Sequence, residues 1–392
     1  IDNLKIRGSY GLVGSDETGL SAGAQHFLYI DQVSLNNIGF TTGVDMNYTL
    51  YGPLVTNYAV VNGGWERVKK LDIGIDLELF RQLTITADYF NEKRYNILLH
   101  REAWPESLGY YTAKPWSNKG KVDNWGIELS VNWRKEFTKD LYVDFRGNFT
   151  YTENKYVNLD EPVYPYVWKT STGKPLSRTT GYIAQGLFSS QEEIDNSPTQ
   201  NLGSTVKPGD IKYRDVNGDG KIDGSDQVMI SPYGTTPRIQ YGLGMNVTYK
   251  KFDFGVFFNG SAKRTIMISG ISPFGQSDYN VMQFIADDYW SESNPNPNAK
   301  YPRLTSEGSA NNYTTNSLWV ADASYMKLRT LELYYNFSQE MMKKSKFIKG
   351  AKVFARGHDL FCVDKIKVLD PENIGTNHPT MTQYTFGVNL SF

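Results

Sequence analysis

No stretch of this sequence approaches the roughly 20 consecutive apolar residues of a membrane-spanning helix, and a mean hydropathy of -0.48 makes most of the chain wet. Helical spans are thereby excluded, but strands are not, because a transmembrane barrel needs only alternate residues to be apolar. Cys362 is the only cysteine, which excludes an internal disulfide and a cysteine zinc cluster. With 41 Lys and Arg against 42 Asp and Glu, the net charge is -1, and no basic excess draws the chain to nucleic acid. Catalytic signatures are missing too: there is no Gly-x-Ser-x-Gly elbow, phosphate loop, Gly-x-Gly-x-x-Gly or His-Glu-x-x-His. His26, His100, His358 and His378 stand singly, so the expectation is a protein that is not an enzyme.

What the chain has instead is alternation. Leu71, Ile73, Ile75, Leu77 and Leu79 interleave with Asp72, Gly74, Asp76 and Glu78, and after a break at Arg81-Gln82 the pattern resumes as Leu83, Ile85, Ala87, Tyr89. Successive side chains of a strand point to opposite faces, so each such ribbon is apolar on one side only. About ten ribbons are expected, over 4–13, 65–80, 83–98, 125–134, 143–151, 239–249, 252–258, 324–337, 351–361 and 384–392. In the eighth, strict alternation puts Lys327 and Arg329 on one face with Leu331 and Leu333.

The connections alternate in length, long first, so all short turns fall on one rim and the long loops on the other. Bacterial outer-membrane barrels have this asymmetry, with short periplasmic turns and long extracellular loops. Trp125 to Trp133 is eight steps of about 3.3 Å, so about 20 Å in height at a tilt near 40°, close to the apolar band of such a barrel. Tryptophans at both ends of that face, and Tyr241 with Tyr249 two ribbons on, match aromatic girdles. A soluble sandwich also alternates, but its strands average about 5 to 6 residues and its loops carry no one-sided length bias. The expected fold class is therefore all-β, a transmembrane antiparallel β-barrel with its C-terminus at the periplasmic rim. Acids such as Asp72, Asp76 and Glu128 then line a wet lumen. The chain opens on Ile-Asp-Asn-Leu-Lys, with no initiator Met or signal peptide, and reads as the C-terminal piece of something longer. About ten strands would close a small barrel, but part of a wider one is the simpler reading.

The longest irregular stretch, residues 153–237, exceeds the usual connection length, as functional loops do. Within it, Asp215-Val-Asn217-Gly-Asp219-Gly220-Lys221-Ile-Asp223-Gly-Ser-Asp226 has EF-hand loop spacing: oxygen ligands at positions 1, 3 and 5, glycine at 6, the Lys221 carbonyl at 7, acids at 9 and 12. Carboxylates so close repel unless a hard cation neutralises them, and Ca²⁺ is the cation expected, with Mg²⁺ or none as alternatives. Asp226 stands where a longer Glu is usual, which leaves room for water to complete the site. No flanking EF-hand helices are evident, so the ion would clamp the loop structurally. A bare turn is the competing reading of so many Asp, Asn and Gly. A second constellation is aromatic: Trp104, Tyr110, Tyr111 and Trp116 in one loop, Tyr164, Tyr166 and Trp168 in another, Tyr289 and Trp290 in a third. Flat rings beside polar groups suit sugar faces or peptide side chains, and packing of the loops on one another accounts for them equally well.

Several segments together carry a family likeness: Asn3-Leu-Lys-Ile-Arg-Gly-Ser-Tyr-Gly, Trp65-Glu-Arg-Val-Lys-Lys-Leu-Asp-Ile-Gly-Ile-Asp, Gly181-Tyr-Ile-Ala-Gln-Gly-Leu-Phe, Gly209-Asp-Ile-Lys-Tyr-Arg-Asp-Val-Asn-Gly-Asp-Gly, Ala323-Ser-Tyr-Met-Lys-Leu-Arg-Thr-Leu-Glu-Leu, Gly357-His-Asp-Leu-Phe and the aromatic final strand. The chain resembles the SusC/RagA group of TonB-dependent outer-membrane transporters of Bacteroidetes. That resemblance implies the C-terminal part of a 22-stranded barrel, import of oligosaccharides or peptides driven through TonB, ExbB and ExbD, and a SusD-like surface lipoprotein as partner. It also implies a plug domain, which this chain lacks. A passive porin or a surface adhesin built on a barrel is the alternative.

Overall fold

Period-2 alternation becomes ten long strands in the computed structural model, which describes residues 1–18, 27–60, 63–105, 107, 114–268, 281–296, 298–305, 309–342, 347–372, 378 and 380–392. They are β1 (Asn3–Ser15), β2 (Glu66–Leu79), β3 (Leu83–His100), β4 (Trp116–Thr138), β5 (Leu141–Asn158), β6 (Ile239–Tyr249), β7 (Phe252–Ala262), β8 (Tyr325–Asn336), β9 (Gly350–Asp364) and β10 (Gln383–Ser391). All ten lie in one sheet, each beside its neighbours in chain order and antiparallel to them. Every expected ribbon is a strand of this sheet.

The sheet's apolar face is open. Ile6 is 71% exposed and Phe386 78%, and Ile75, Ile127, Leu129, Leu243, Leu333 and Val388 between them are exposed as well. Buried apolar residues cluster elsewhere, in the long loops, around Ile211, Tyr213, Ile222, Ile285, Trp290, Tyr301 and Trp319. Water would not tolerate so broad an apolar wall, and a bilayer solvates it. Aromatic contacts mark both rims of the wall: Tyr89, Trp125 and Tyr151 at the long-loop side, with Trp125 and Tyr151 5.6 Å apart, and Trp133 with Phe137 and Phe252 with Tyr335 at the short-turn side. Among the described residues no helix is long and apolar enough to cross a membrane. The opposite face is polar and internally paired: Arg7 reaches Asp76 at 2.9 Å and Asp88 at 2.8 Å over Gly74, where a Cβ would lie 2.1 Å from the Asp88 carboxylate.

Several expectations need correcting. The fourth strand begins at Trp116, well before Trp125, and runs 23 residues; its upper half stands in water, where no lipid imposes alternation. Trp116 is therefore a strand residue and not a loop one. The first long connection contains a hairpin, Gln32–Thr42 with Tyr48–Asn57, that its polar, Gly-rich look concealed. Turns 80–82, 139–140 and 250–251 are tight, with Phe80, Arg81 and Lys250 in left-handed backbone, but the β8–β9 connection spans 337–349 and holds a short helix. The Lys327 conflict is resolved by a bulge: Leu328 pairs with Phe258 and Phe361, whereas Thr330 pairs with Phe257 and His358. Arg329 is the extra residue, so the parity switches there and Lys327 turns to the polar face, away from Leu331 and Leu333.

Candidate functional site

Among the described residues, those expected to bind lie at the long-loop rim, Trp116 at the end of β4 and the others in the loops, and the loops have a core of their own. Gln200 accepts from the Tyr213 amide at 2.7 Å and donates to the Ile211 carbonyl and to Asn311. Asn312 donates to Asp210 at 2.8 Å, and Arg303 pairs with the same carboxylate, which is fully buried. The Tyr213 hydroxyl donates to the Asn311 carbonyl and receives from Asn316, and burial pushes its phenol far above the ordinary value. These bonds tie residues 187–223 to 303–319, so the two longest loops form one body.

The 215–226 loop sits on this body, with Thr199–Gln200 pairing in parallel with Lys221–Ile222. Gly218 and Gly220 take positive φ (76° and 82°), which bends the chain around Asp215. Asp215 accepts from the Gly218 amide at 2.6 Å and the Gly220 amide at 2.8 Å; Asp219 accepts from Lys221, and Asn217 from Asp219. Asp226, fully buried, accepts from Val216 and Asp223 amides, and Asp223 from Ser225. The Ser225 amide holds the Asp223 carboxyl below its ordinary range. The donor set is one of hard oxygens, which suits Ca²⁺. The acid oxygens as placed are turned to loop N–H groups, and among the described residues no group of three or more His, Cys, Asp or Glu side chains is arranged to hold an ion.

The aromatics separate. Tyr166 and Trp168 stack at 4.7 Å and cap the acidic loop: the Trp168 indole donates to the Ser225 carbonyl at 2.8 Å, and Asn217 donates to the Tyr166 hydroxyl at 3.1 Å. Tyr164 is half-buried nearby in sequence, its phenol raised by burial and by Glu161. Trp104 lies under the Arg101 guanidinium, and the Trp116 ring lies 3.6 Å from that of His100. Tyr289 packs against the loop core, and Trp290, 4% exposed, is inside it. Trp290 is packing, therefore, and offers no ring face to a ligand. Tyr110 and Tyr111 lie outside the described residues.

Sequence reasoning missed the ionic cluster on the polar face. Buried Lys327 binds Asp370 at 3.1 Å and Glu372 at 2.9 Å, and Arg329 pairs with Asp359 and Glu372. Two cations interrupting an apolar ribbon were its signal.

Residues 1–344 match the family model described as TonB dependent receptor-like, beta-barrel. TonB-dependent receptor P3 of Formosa agariphila is 26% identical over 87% of this chain and 36% of its own length. TonB-dependent receptor SusC of Bacteroides thetaiotaomicron is 25% identical over 100% of this chain and 38% of its own. Among solved structures, the RagAB peptide importer in its open-open state superimposes with a TM-score of 0.67 at 19% identity, over 100% of this chain and 40% of that one. The chain thus spans about two-fifths of the length of these proteins. With ten paired strands, a lipid-suited face and that match, it belongs to the TonB dependent receptor-like β-barrel family of outer-membrane proteins.

Proposed function

We propose that this chain forms the C-terminal barrel wall of an outer-membrane transporter that imports oligosaccharides or peptides, energised through TonB, ExbB and ExbD and capped by a SusD-like surface lipoprotein. The supporting observation is the placement of bulk: among the described residues the buried loop core stands on one rim of an apolar wall, while the other rim carries short turns and one four-residue helix. In this reading the loops face outward, the tight turns face the periplasm, and the protein is not an enzyme. Collapsing the proton gradient with an ionophore should abolish uptake by the whole protein. Undiminished uptake would make it a passive porin instead.

The 215–226 loop is proposed to take Ca²⁺ through Asp215, Asn217, Asp219, the Lys221 carbonyl, Asp223 and Asp226, as a structural clamp beneath the Tyr166–Trp168 stack. The Asp and Asn oxygens would exchange some amide partners for the ion. Removing Ca²⁺ with a chelator, or making Asp219→Ala, should expose residues 209–230 to protease while the barrel remains folded. Cleavage there that ignores the chelator rejects the ion.

A further inference from the structure

We propose that the lipid-facing surface of β2 to β5, just above the aromatic girdle at the long-loop rim, binds the phosphate of an outer-leaflet lipid headgroup. From the transport reading it takes only the outward orientation of the loops, which decides the leaflet. Strand register lays this outer face out in rows. Ile73, Tyr89, Ile127 and Tyr151 form one row, and Leu71, Asn91, Trp125 and Glu153 the next. One step further toward the loops the row is Lys69, Lys93, Asp123 and Lys155, and above it stand Arg67, Tyr95 and Lys121. All five cations are exposed. A step of two residues is about 6.6 Å along a strand and about 5 Å in height at a tilt near 40°. The cations therefore stand where headgroups begin above a belt of Trp and Tyr.

Their charge is unmatched within the wall. Lys69 lies directly opposite Lys93, and like charges so placed destabilise a sheet. Among the described residues none of the five makes an ion pair, and the one carboxylate in their rows is Asp123, between Lys93 and Lys155. Glu153, a row below, is already held by Arg238 and the Tyr151 hydroxyl. The polar face of the same strands at the same height is built differently: Lys70 pairs with Glu92 at 2.9 Å and Arg94 with Glu66 at 3.1 Å. Inner cations have protein carboxylates and outer ones share a single acid, so the complement must come from outside the protein. A lipid phosphate supplies it, worth about fivefold in affinity per cation near an anionic membrane surface. Tyr95, between Arg67 and Lys121 and under the Lys69 ammonium at 5.6 Å, gives the headgroup a flat floor. The acyl chains then lie along exposed Ile73, Tyr89 and Ile127. A free phosphate ion would gain the charge contacts and none of the apolar ones.

The test is native mass spectrometry of the whole protein, purified in detergent and stripped of lipid, with added monophosphoryl lipid A or the same lipid dephosphorylated. The phosphorylated lipid should be retained and the dephosphorylated one lost. Lys69→Gln, Lys93→Gln and Lys121→Gln should each weaken retention about fivefold, and the three together about a hundredfold. Lys93→Arg should retain binding, and Lys70→Gln, at the same height on the polar face, should leave it unchanged, each with unaltered heat-modifiable migration on gels. Equal retention of both lipids, indifference to the triple variant, or equal loss with Lys70→Gln overturns the site. Displacement by millimolar inorganic phosphate would make it a free-anion site and overturn the lipid. Because retention in detergent needs neither an energy source nor an orientation, a failed lipid site leaves ionophore-sensitive uptake intact, and ionophore-insensitive uptake leaves the lipid site intact.

Discussion

At the scale of single residues, the loop body depends on positions where two constraints coincide. Gly209 has φ 85°, and a Cβ there would lie 2.2 Å from the Trp290 ring. Gly209→Ala should therefore cost about 1–3 kcal/mol in backbone strain alone, with the displaced indole adding more. Faster amide exchange in residues 187–223 and 285–319, with β1 to β5 unaffected, is the expected result. Glu193 makes a different kind of contribution. The Ser189 amide, the Lys212 ammonium and the Ser189 hydroxyl hold its carboxyl down to about 2 from an ordinary 4.5. A depressed carboxyl stabilises fully above its unfolded value and progressively less as pH falls through the folded one. The short helix Gln191–Asp195 should accordingly hold at pH 5 and loosen between about pH 4.5 and 2. Glu193→Gln should remove that pH dependence, read by amide protection of 189–196.

At the scale of elements, the bulge at Arg329 deserves to be judged by what it aims. By switching parity it turns Lys327 inward onto Asp370 and Glu372, strapping the segment after β9 to the wall. Removing one partner of a buried ionic cluster typically costs about 3–5 kcal/mol because the other charges lose their match. Lys327→Met should release residues 365–372 to protease while β8 and β9 stay paired; protection unchanged from wild type would show that the strap is held by Ile366 and its apolar neighbours instead. The same element shows what the sequence made legible. Ten strands could be read because lipid demands period 2 on one face, and Leu71 to Leu79 or Tyr241 to Tyr249 obey it without exception. The upper half of β4, from Trp116, left no such trace, since neither face there meets lipid. Parity switches are invisible to a pattern that assumes none. The loop core was illegible for another reason: Gln200 meets Asn311 across 111 positions, and no local period encodes that contact. The acidic loop was legible as a spacing, and its closure on its own amides was not.

At the scale of the whole molecule, the sheet has two open edges, because β1 and β10 each pair on one side only among the described residues. Unpaired N–H and C=O groups are intolerable in hydrocarbon, so each edge needs a partner strand. Relatives more than twice as long have the chain to supply them. Orientation follows from loop length: bacterial outer-membrane barrels carry short turns on the periplasmic rim and long loops on the extracellular one, and the loop body stands on the long-loop rim of this wall. It should therefore stand outside the cell. Val163 is 101% exposed on a long loop, and Lys139 lies in the tight turn between β4 and β5. With the single native thiol removed by Cys362→Ser, Val163→Cys should react with a membrane-impermeant maleimide on intact cells. Lys139→Cys should react only after the outer membrane is permeabilised. The reverse pattern would place the loop body in the periplasm, and labelling of both on intact cells would mean that the turns reach the surface and that the wall does not span the membrane as its apolar face requires.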